Sequence, residues 1–319
     1  MARVLLLTHE AMVHHAAPGH PERPERLAAV EAGVVDGTDA AGAELVRTTP
    51  EPAGDEVLAR VHPARYLAAL TAAEARGGGW IDPDTYLFPG SMAAARVAAA
   101  AMVLAATAAQ EGVAAVAFAA VRPPGHHASR ERSAGFCLLN NVAVAVEALR
   151  AADLARRIAV LDWDVHHGDG TQAIYAADPD LCYASTHQSP LYPGSGDGGE
   201  RGSGPAEGTK HNLPLSPGSG DEAFTAAWLD GLLPAVEAFG PEAILVSAGY
   251  DAHRDDPLAQ LEVTEAGFET VARQVGALAG RLKLTGVALA LEGGYDLPAL
   301  RRSVAATVEG LLAGLPQRA

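Results

Sequence analysis

Short, uniformly apolar runs alternate with longer stretches of helical periodicity along most of the chain. The apolar runs are Arg3–Leu7, Val113–Val121, Ile158–Asp162, Leu181–Ser185, Ala243–Ser247 and Gly286–Leu291. They lack polar alternation, which predicts strands buried on both faces of a sheet. The helical stretches are Pro24–Gly33, Ala64–Ala75, Ser91–Gln110, Asn140–Arg150, Asp221–Phe239, Thr264–Leu278 and Pro298–Leu312. Asp221 and Thr264 stand just ahead of apolar periodicity and are predicted N-caps. Such alternation predicts an α/β fold, a single central, mostly parallel sheet with helices on both faces. No repeat of fixed period and no linker divides the chain, so one domain over residues 1–319 is expected.

One segment breaks the pattern. Seven of the 19 residues from Tyr192 to Lys210 are glycine, and a second Gly/Pro cluster follows at Pro214–Gly220. A long Gly-rich loop inside a compact domain is either mobile or lines a site. The apolar run that ends at Leu7 is too short for a secretory h-region or a membrane span. Val97–Gln110, mostly alanine, reads as a helix packed between layers, so no membrane partner is expected.

Hydrophobic residues make up 49% and charged residues 19% of the 319, which excludes disorder and supplies a sizeable core. Lys and Arg number 23 against 39 Asp and Glu, a formal charge of −16 with no basic cluster. That balance argues against a nucleic-acid partner. It suits a cationic substrate, although many soluble proteins are equally acidic. Cys137 and Cys182 cannot form a disulfide framework and point to a reducing, cytoplasmic setting.

Ligands of doubly wound sheets bind beyond the carboxyl ends of the strands, so the residues after each apolar run matter most. There the chain reads RPPGHHA (His126, His127), DWDVHHGDG (Asp162, Asp164, His166, His167, Asp169), AGYDAHRDD (Asp251, His253) and EGGYD (Glu292, Tyr295). In an extended chain Asp162, Asp164 and His166 share a face. Asp164 and His166 would offer an oxygen and a nitrogen to a cation, and Asp251 is the candidate second carboxylate. Three protein ligands with an open position are the catalytic pattern for zinc. The alternative is a solvated acidic loop with capping aspartates, and for Asp251 both readings stand. His126 and His127 follow a rigid Pro-Pro-Gly turn, where carboxylates could tune a general base. Tyr295 follows two glycines and could donate to an oxyanion. His14-His15 has no strand-end context and receives no role. His167 reads as structural or supporting, and His62, His187, His211 and His253 as structural.

The motifs RPPGHHA, GFCLLNN (Gly135–Asn141), LDWDVHHGDGTQ, YPGSGD, SAGYDAHRDDPL and EGGYD together resemble the zinc-dependent histone deacetylase superfamily. GHPERPERL (Gly19–Leu27) resembles its class II-like branch of bacterial histone deacetylase-like and acetylpolyamine amidohydrolases. The resemblance spans roughly residues 1 to 312, with the motifs in family order. It implies an arginase/deacetylase fold around an eight-stranded sheet, one zinc ion and hydrolysis of an N-acetyl amide. Asp164, His166 and Asp251 fall on the zinc ligands. His126 and His127 fall on the tandem histidines, with Asp162 and Asp169 on their carboxylate partners, and Tyr295 on the transition-state tyrosine. Gly135, Phe136 and Tyr192 match tunnel walls, and Tyr192 stands where many relatives carry phenylalanine. Asp162, Asp164, His166, Ser185 and Thr186 match an inner potassium site. Arg26 matches an arginine near the acetate exit, and Asp82 or Asp84 an acidic rim residue. The implied substrate is an acetylated amine, either acetyl-lysine or acetylpolyamine, and a homo-oligomer is a further expectation. A binuclear manganese ureohydrolase and an inactive acetyl-lysine-binding protein are the rival readings, and the sequence leaves zinc and ferrous iron open as the metal.

Overall fold

The computed structural model describes residues 1–316; residues 317–319, part of the expected domain span, lie outside the described residues. Among the described residues the strands are β1 (Arg3–Leu7), β2 (Glu44–Thr48), β3 (Gly79–Trp80), β4 (Tyr86–Leu87) and β5 (Val116–Ala119). They continue with β6 (Ile158–Asp162), β7 (Leu181–Gln188), β8 (Lys210–Leu215), β9 (Ala243–Ala248) and β10 (Val287–Leu291). Eight of them form one sheet in the order β2-β1-β5-β10-β9-β6-β7-β8, every pair parallel, while β3 and β4 make a small antiparallel hairpin. The sheet is thus wholly parallel, where mostly parallel was expected.

Strands β5, β6, β7, β9 and β10 are buried along their whole lengths, so both faces of the sheet are covered. Helices Glu25–Ala40, Leu297–Gly314 and Glu265–Arg281 pack into one layer. Ser91–Gln110 and Asn141–Ala151 pack together and against the central strands. Ser91–Gln110 is apolar and long enough to cross a membrane, but 67% of its most apolar 18-residue stretch is buried inside the fold.

The sequence pattern missed β2 and β8. Both are sheet edges with partly exposed, mixed sequences (ELVRT and KHNLPL), so neither leaves a uniform apolar run. The run Val113–Val121 narrows to β5, and Val113 is half exposed. Asp221–Phe239 is helical throughout but widens into a π-turn at Ala227–Leu232, just before Pro234, whose nitrogen cannot donate. Thr264 caps its helix as expected, its Oγ1 accepting from Ala266 N at 3.3 Å. Asp221 does not cap its own helix. Gly220 holds that position, and the Asp221 carboxylate accepts instead from Thr264 N (2.7 Å) and Oγ1 (2.6 Å).

The loop that leads from β5 to helix Asn141–Ala151 is locked by Asn140. Its Oδ1 caps Ala143 N at 2.9 Å, and its Nδ2 donates to Ala128 O and Thr171 Oγ1 at 3.0 and 2.9 Å. Its backbone N donates to His62 Nε2 at 2.9 Å, while His62 Nδ1 reaches Arg130 O at 3.0 Å. These partners require a neutral ring protonated on Nδ1 alone. Burial, aided by the Arg130 charge, pulls the His62 pKa from 6.5 to about 4. A lowered histidine pKa stabilises the fold fully above pH 6.5, and that contribution is lost as pH falls toward 4. Its size is on the order of 3 kcal/mol. In urea titrations across this window, His62→Gln should show a shallower loss of stability than the wild type. Glutamine can donate to Arg130 O and accept from Asn140 N without titrating, and equal slopes would contradict the assignment.

Candidate active site

The carboxyl ends of β5, β6, β9 and β10 meet at one point. After β6 the chain does not stay extended: it bends at Asp164–His166, and the predicted shared face of Asp162, Asp164 and His166 is broken. Asp162 turns to His126 and to Tyr183, whose hydroxyl donates to Asp162 Oδ2 at 3.0 Å. Asp164 and His166 converge with Asp251, and the ligand atoms of the three lie within 4.8 Å of one another.

His166 Nδ1 lies 3.1 Å from Asp164 Oδ1 and 3.2 Å from Asp251 Oδ2. The remaining carboxylate oxygens are held by backbone: Asp164 Oδ2 accepts from Gly293 N at 2.7 Å and Asp251 Oδ1 from Val165 N at 2.9 Å. Asp251 Oδ2 is buried and accepts no hydrogen bond. A Cβ at Gly293 would overlap that oxygen, and one at Gly249 would overlap Asp164 Oδ2. Burial opposes charging the imidazole, yet the flanking carboxylates raise the His166 pKa to about 10. The carboxylates thus favour positive charge at this point. Two carboxylate oxygens and one imidazole nitrogen, one oxygen lacking any donor, are a donor set that fits a divalent metal.

Beside this cluster the His126 and His127 rings sit 4.0 Å apart. His126 Nδ1 lies 3.1 Å from Asp162 Oδ2, and His127 Nδ1 lies 2.7 Å from Asp169 Oδ1. Burial disfavours charge on His126, but Asp164, Asp162 and Glu292 lift its pKa well above the ordinary value. Burial and the neighbouring His126 hold His127 down to about 3, despite Asp169. His127 is therefore a neutral base with Nδ1 occupied and Nε2 free. Burial, then Asp251, raises the Tyr295 pKa well above 10, so its phenol stays a donor.

These groups line a cavity of about 130 Å³ walled by Gly135, Phe136, Tyr192, Pro124 and Leu258, with Asp84 also on its lining. Gly135 has φ +53, and a Cβ there would strike the His127 ring. Tyr192 is 40% exposed, and its ring stands perpendicular to His127 at 5.0 Å. Of the two rim aspartates, Asp82 folds back, its Oδ1 accepting from Asp84 N and Thr85 N at 3.1 and 2.6 Å. Asp84 alone lines the slot. Among the described residues two larger clefts, about 610 and 690 Å³, lie at the amino ends of the strands and contain no histidine.

Ser185 is the register partner of Asp162, and its Oγ pairs with His187 Nδ1 at 2.9 Å. Thr186 Oγ1 accepts from Trp228 Nε1 at 3.0 Å. Arg26 is fully buried and donates to Glu292 O (2.5 Å) and Gly294 O (2.6 Å), with its guanidinium 4.9 Å over the Tyr295 ring. Sequence reasoning gave no role to several supports. Glu292 accepts from Gly125 N and His126 N at 2.6 and 3.1 Å, and Glu22 accepts from Arg122 Nε at 2.5 Å and Nη2 at 2.6 Å. Tyr183 and Asp256 are two more. Glu292 directly after β10 and Asp256 in the loop after β9 stand at strand ends, the one signal that could have marked them; Glu22 and Tyr183 have no such placement.

Residues 20–311 match the histone deacetylase domain. A probable deacetylase of Methanothermobacter thermautotrophicus is 44% identical over 270 residues, 82% of this chain and 78% of that protein. A histone deacetylase-like amidohydrolase of Pseudomonas aeruginosa is 40% identical over 282 residues, 88% of this chain and 74% of that protein. The crystal structure of an acetylpolyamine aminohydrolase from Burkholderia pseudomallei superposes with a TM-score of 0.87 at 31% identity, covering 98% of this chain and 100% of that one. The parallel sheet with its His-carboxylate centre is thus the arginase/deacetylase fold, and the chain belongs to the histone deacetylase family as a deacetylase or amidohydrolase, a hydrolase of amides.

Proposed function

We propose that the chain removes the acetyl group from an N-acetylated primary amine, using one zinc ion held by Asp164, His166 and Asp251. The observation that carries this reading is the cluster around His166 Nδ1, 3.1 and 3.2 Å from two carboxylates, opening on the same slot as His127 and Tyr295. When bound, the ion supplies Lewis-acid polarisation of the acyl carbonyl and eases deprotonation of the attacking water. The slot admits an aliphatic amine chain edgewise between Phe136 and Tyr192, excluding bulk water from the amide.

His127, oriented through Nδ1 by Asp169, takes the water proton at Nε2 and passes it to the departing nitrogen. The water oxygen adds to the acyl carbon first. The C–N bond breaks only as the resulting oxyanion collapses and the nitrogen takes the proton from His127, giving acetate and the free amine. His126, charged and paired with Asp162, adds positive potential beside the reacting carbon, and the Tyr295 hydroxyl donates to the developing oxyanion. Asp162, Asp164, His166, Ser185 and Thr186 would surround an inner potassium ion. An acetylpolyamine is the second reading for the substrate, favoured by the similarity to the acetylpolyamine aminohydrolase and by Asp84 on the slot lining.

Tyr295→Phe should fold and bind metal normally while kcat falls on the order of 10²–10³-fold, the usual cost of one oxyanion donor. Undiminished turnover would remove Tyr295 from the reaction. Chelation should abolish activity, and elemental analysis of reactivated protein should find one zinc per chain. Two manganese ions per chain would point instead to a binuclear ureohydrolase. Side-by-side turnover of acetyl-lysine peptides and acetylated polyamines separates the two substrate readings. A polyamine preference would appear as a higher kcat/KM that Asp84→Asn lowers.

A further inference from the structure

The turn that delivers Tyr295 has no side chains of its own to hold it. Gly293 and Gly294 precede it, the latter at φ +115, and neither has a side chain that could pack the turn into place. Position must therefore come from outside the turn. Arg26 supplies part of it through the carbonyls of Glu292 and Gly294. The amide of Tyr295 itself is held by a different group: Asp256 Oδ2 accepts from Tyr295 N at 2.6 Å.

Asp256 belongs to another strand end, the loop after β9 that also carries Asp251. Its second oxygen does not face the cavity either. Oδ1 accepts from Leu258 N at 3.0 Å, and Leu258 is a wall of the slot. One carboxylate thus ties the wall on the β9 side to the tyrosine on the β10 side. Both oxygens point at backbone N–H groups, so Asp256 neither reaches substrate nor moves a proton. Retaining a charge here is costly, because burial and the nearby Asp251 push its carboxyl up to about 7. Packing alone does not ask for an acid at a site only 7% exposed.

We infer that Asp256 is a positioning residue that fixes Tyr295 against Leu258, making the oxyanion donor and one slot wall a single rigid unit. The inference rests on the role proposed above for Tyr295. A displacement of about 1 Å in a positioned group can cost on the order of 10²-fold in rate, so a lost anchor should be visible in kcat.

Asp256→Asn keeps the shape of the side chain but turns one acceptor into an amide nitrogen, breaking one of the two anchors. We expect zinc content and thermal midpoint close to wild type, kcat on an acetyl-lysine peptide lowered about tenfold or more, and KM changed far less. The same substitution made in Tyr295→Phe should cost less than about twofold, because the group it positions is already gone. An unchanged kcat in Asp256→Asn, or the same loss in both backgrounds, would overturn the inference. Full activity of Tyr295→Phe alone would instead bring down the proposed function, and this role with it. Hydrogen exchange in the wild-type protein needs no variant: the Tyr295 and Leu258 amides should exchange slowly, and fast exchange at either would refute the anchor.

Discussion

Two carboxylates, Asp164 and Asp251, are buried around a single imidazole nitrogen. Burial and the charge of Asp164 raise the Asp251 pKa, and a cation between the two carboxylates relieves that repulsion. The same carboxylates raise the His166 pKa against the cost of its burial, and the three side chains together would hold a divalent metal. The rest of the centre follows from the same constraint. Gly249 and Gly293 lack side chains because the carboxylate oxygens occupy the space a Cβ would need. The surplus negative charge raises the His126 pKa against its burial, and burial, then the charge of His126, lowers that of its neighbour His127.

A second buried charge cluster stands behind the first. Burial works against ionised Glu22, but Arg122 and Arg26 hold its pKa at about 2. All three side chains are fully buried. A buried network of this kind adds little net stability over apolar packing, but removing one member leaves an uncompensated charge. Its contribution is better described as geometry. Through Glu22, the amino-terminal segment and the loop after β5 are joined to Arg26, which reaches the turn that bears Tyr295.

The opposite wall depends on histidines of another kind. His167 Nδ1 pairs with Ser195 Oγ at 2.8 Å, and His187 Nε2 reaches Gly196 O at 2.9 Å. A side chain at Gly196, which has φ +90, would overlap the His187 ring. The Gly-rich loop that begins at Tyr192 is therefore seated on the fold and not free along its length. Its glycines allow backbone to lie directly on imidazole.

Much of this protein is legible in its sequence, for a physical reason. Strands buried on both faces are largely apolar, so β1, β5, β6, β7, β9 and β10 announce themselves, and the residues that follow them mark the functional end of the sheet. Asp164, His166, His126, His127 and Tyr295 all stand in those places. Edge strands β2 and β8 left no such trace, since each is only partly buried and mixes polar with apolar residues. The bend after Asp162 was equally invisible, because an alternating pattern reads as extended chain until tertiary contacts bend it. Asp162 pairs with His126 as the family resemblance implied. Only the folded structure decided that Tyr183 joins that pair, that Asp221 braces a distant helix and that Asp256 holds Tyr295. These are contacts between residues far apart in the chain, and no local pattern encodes which buried acid finds which partner.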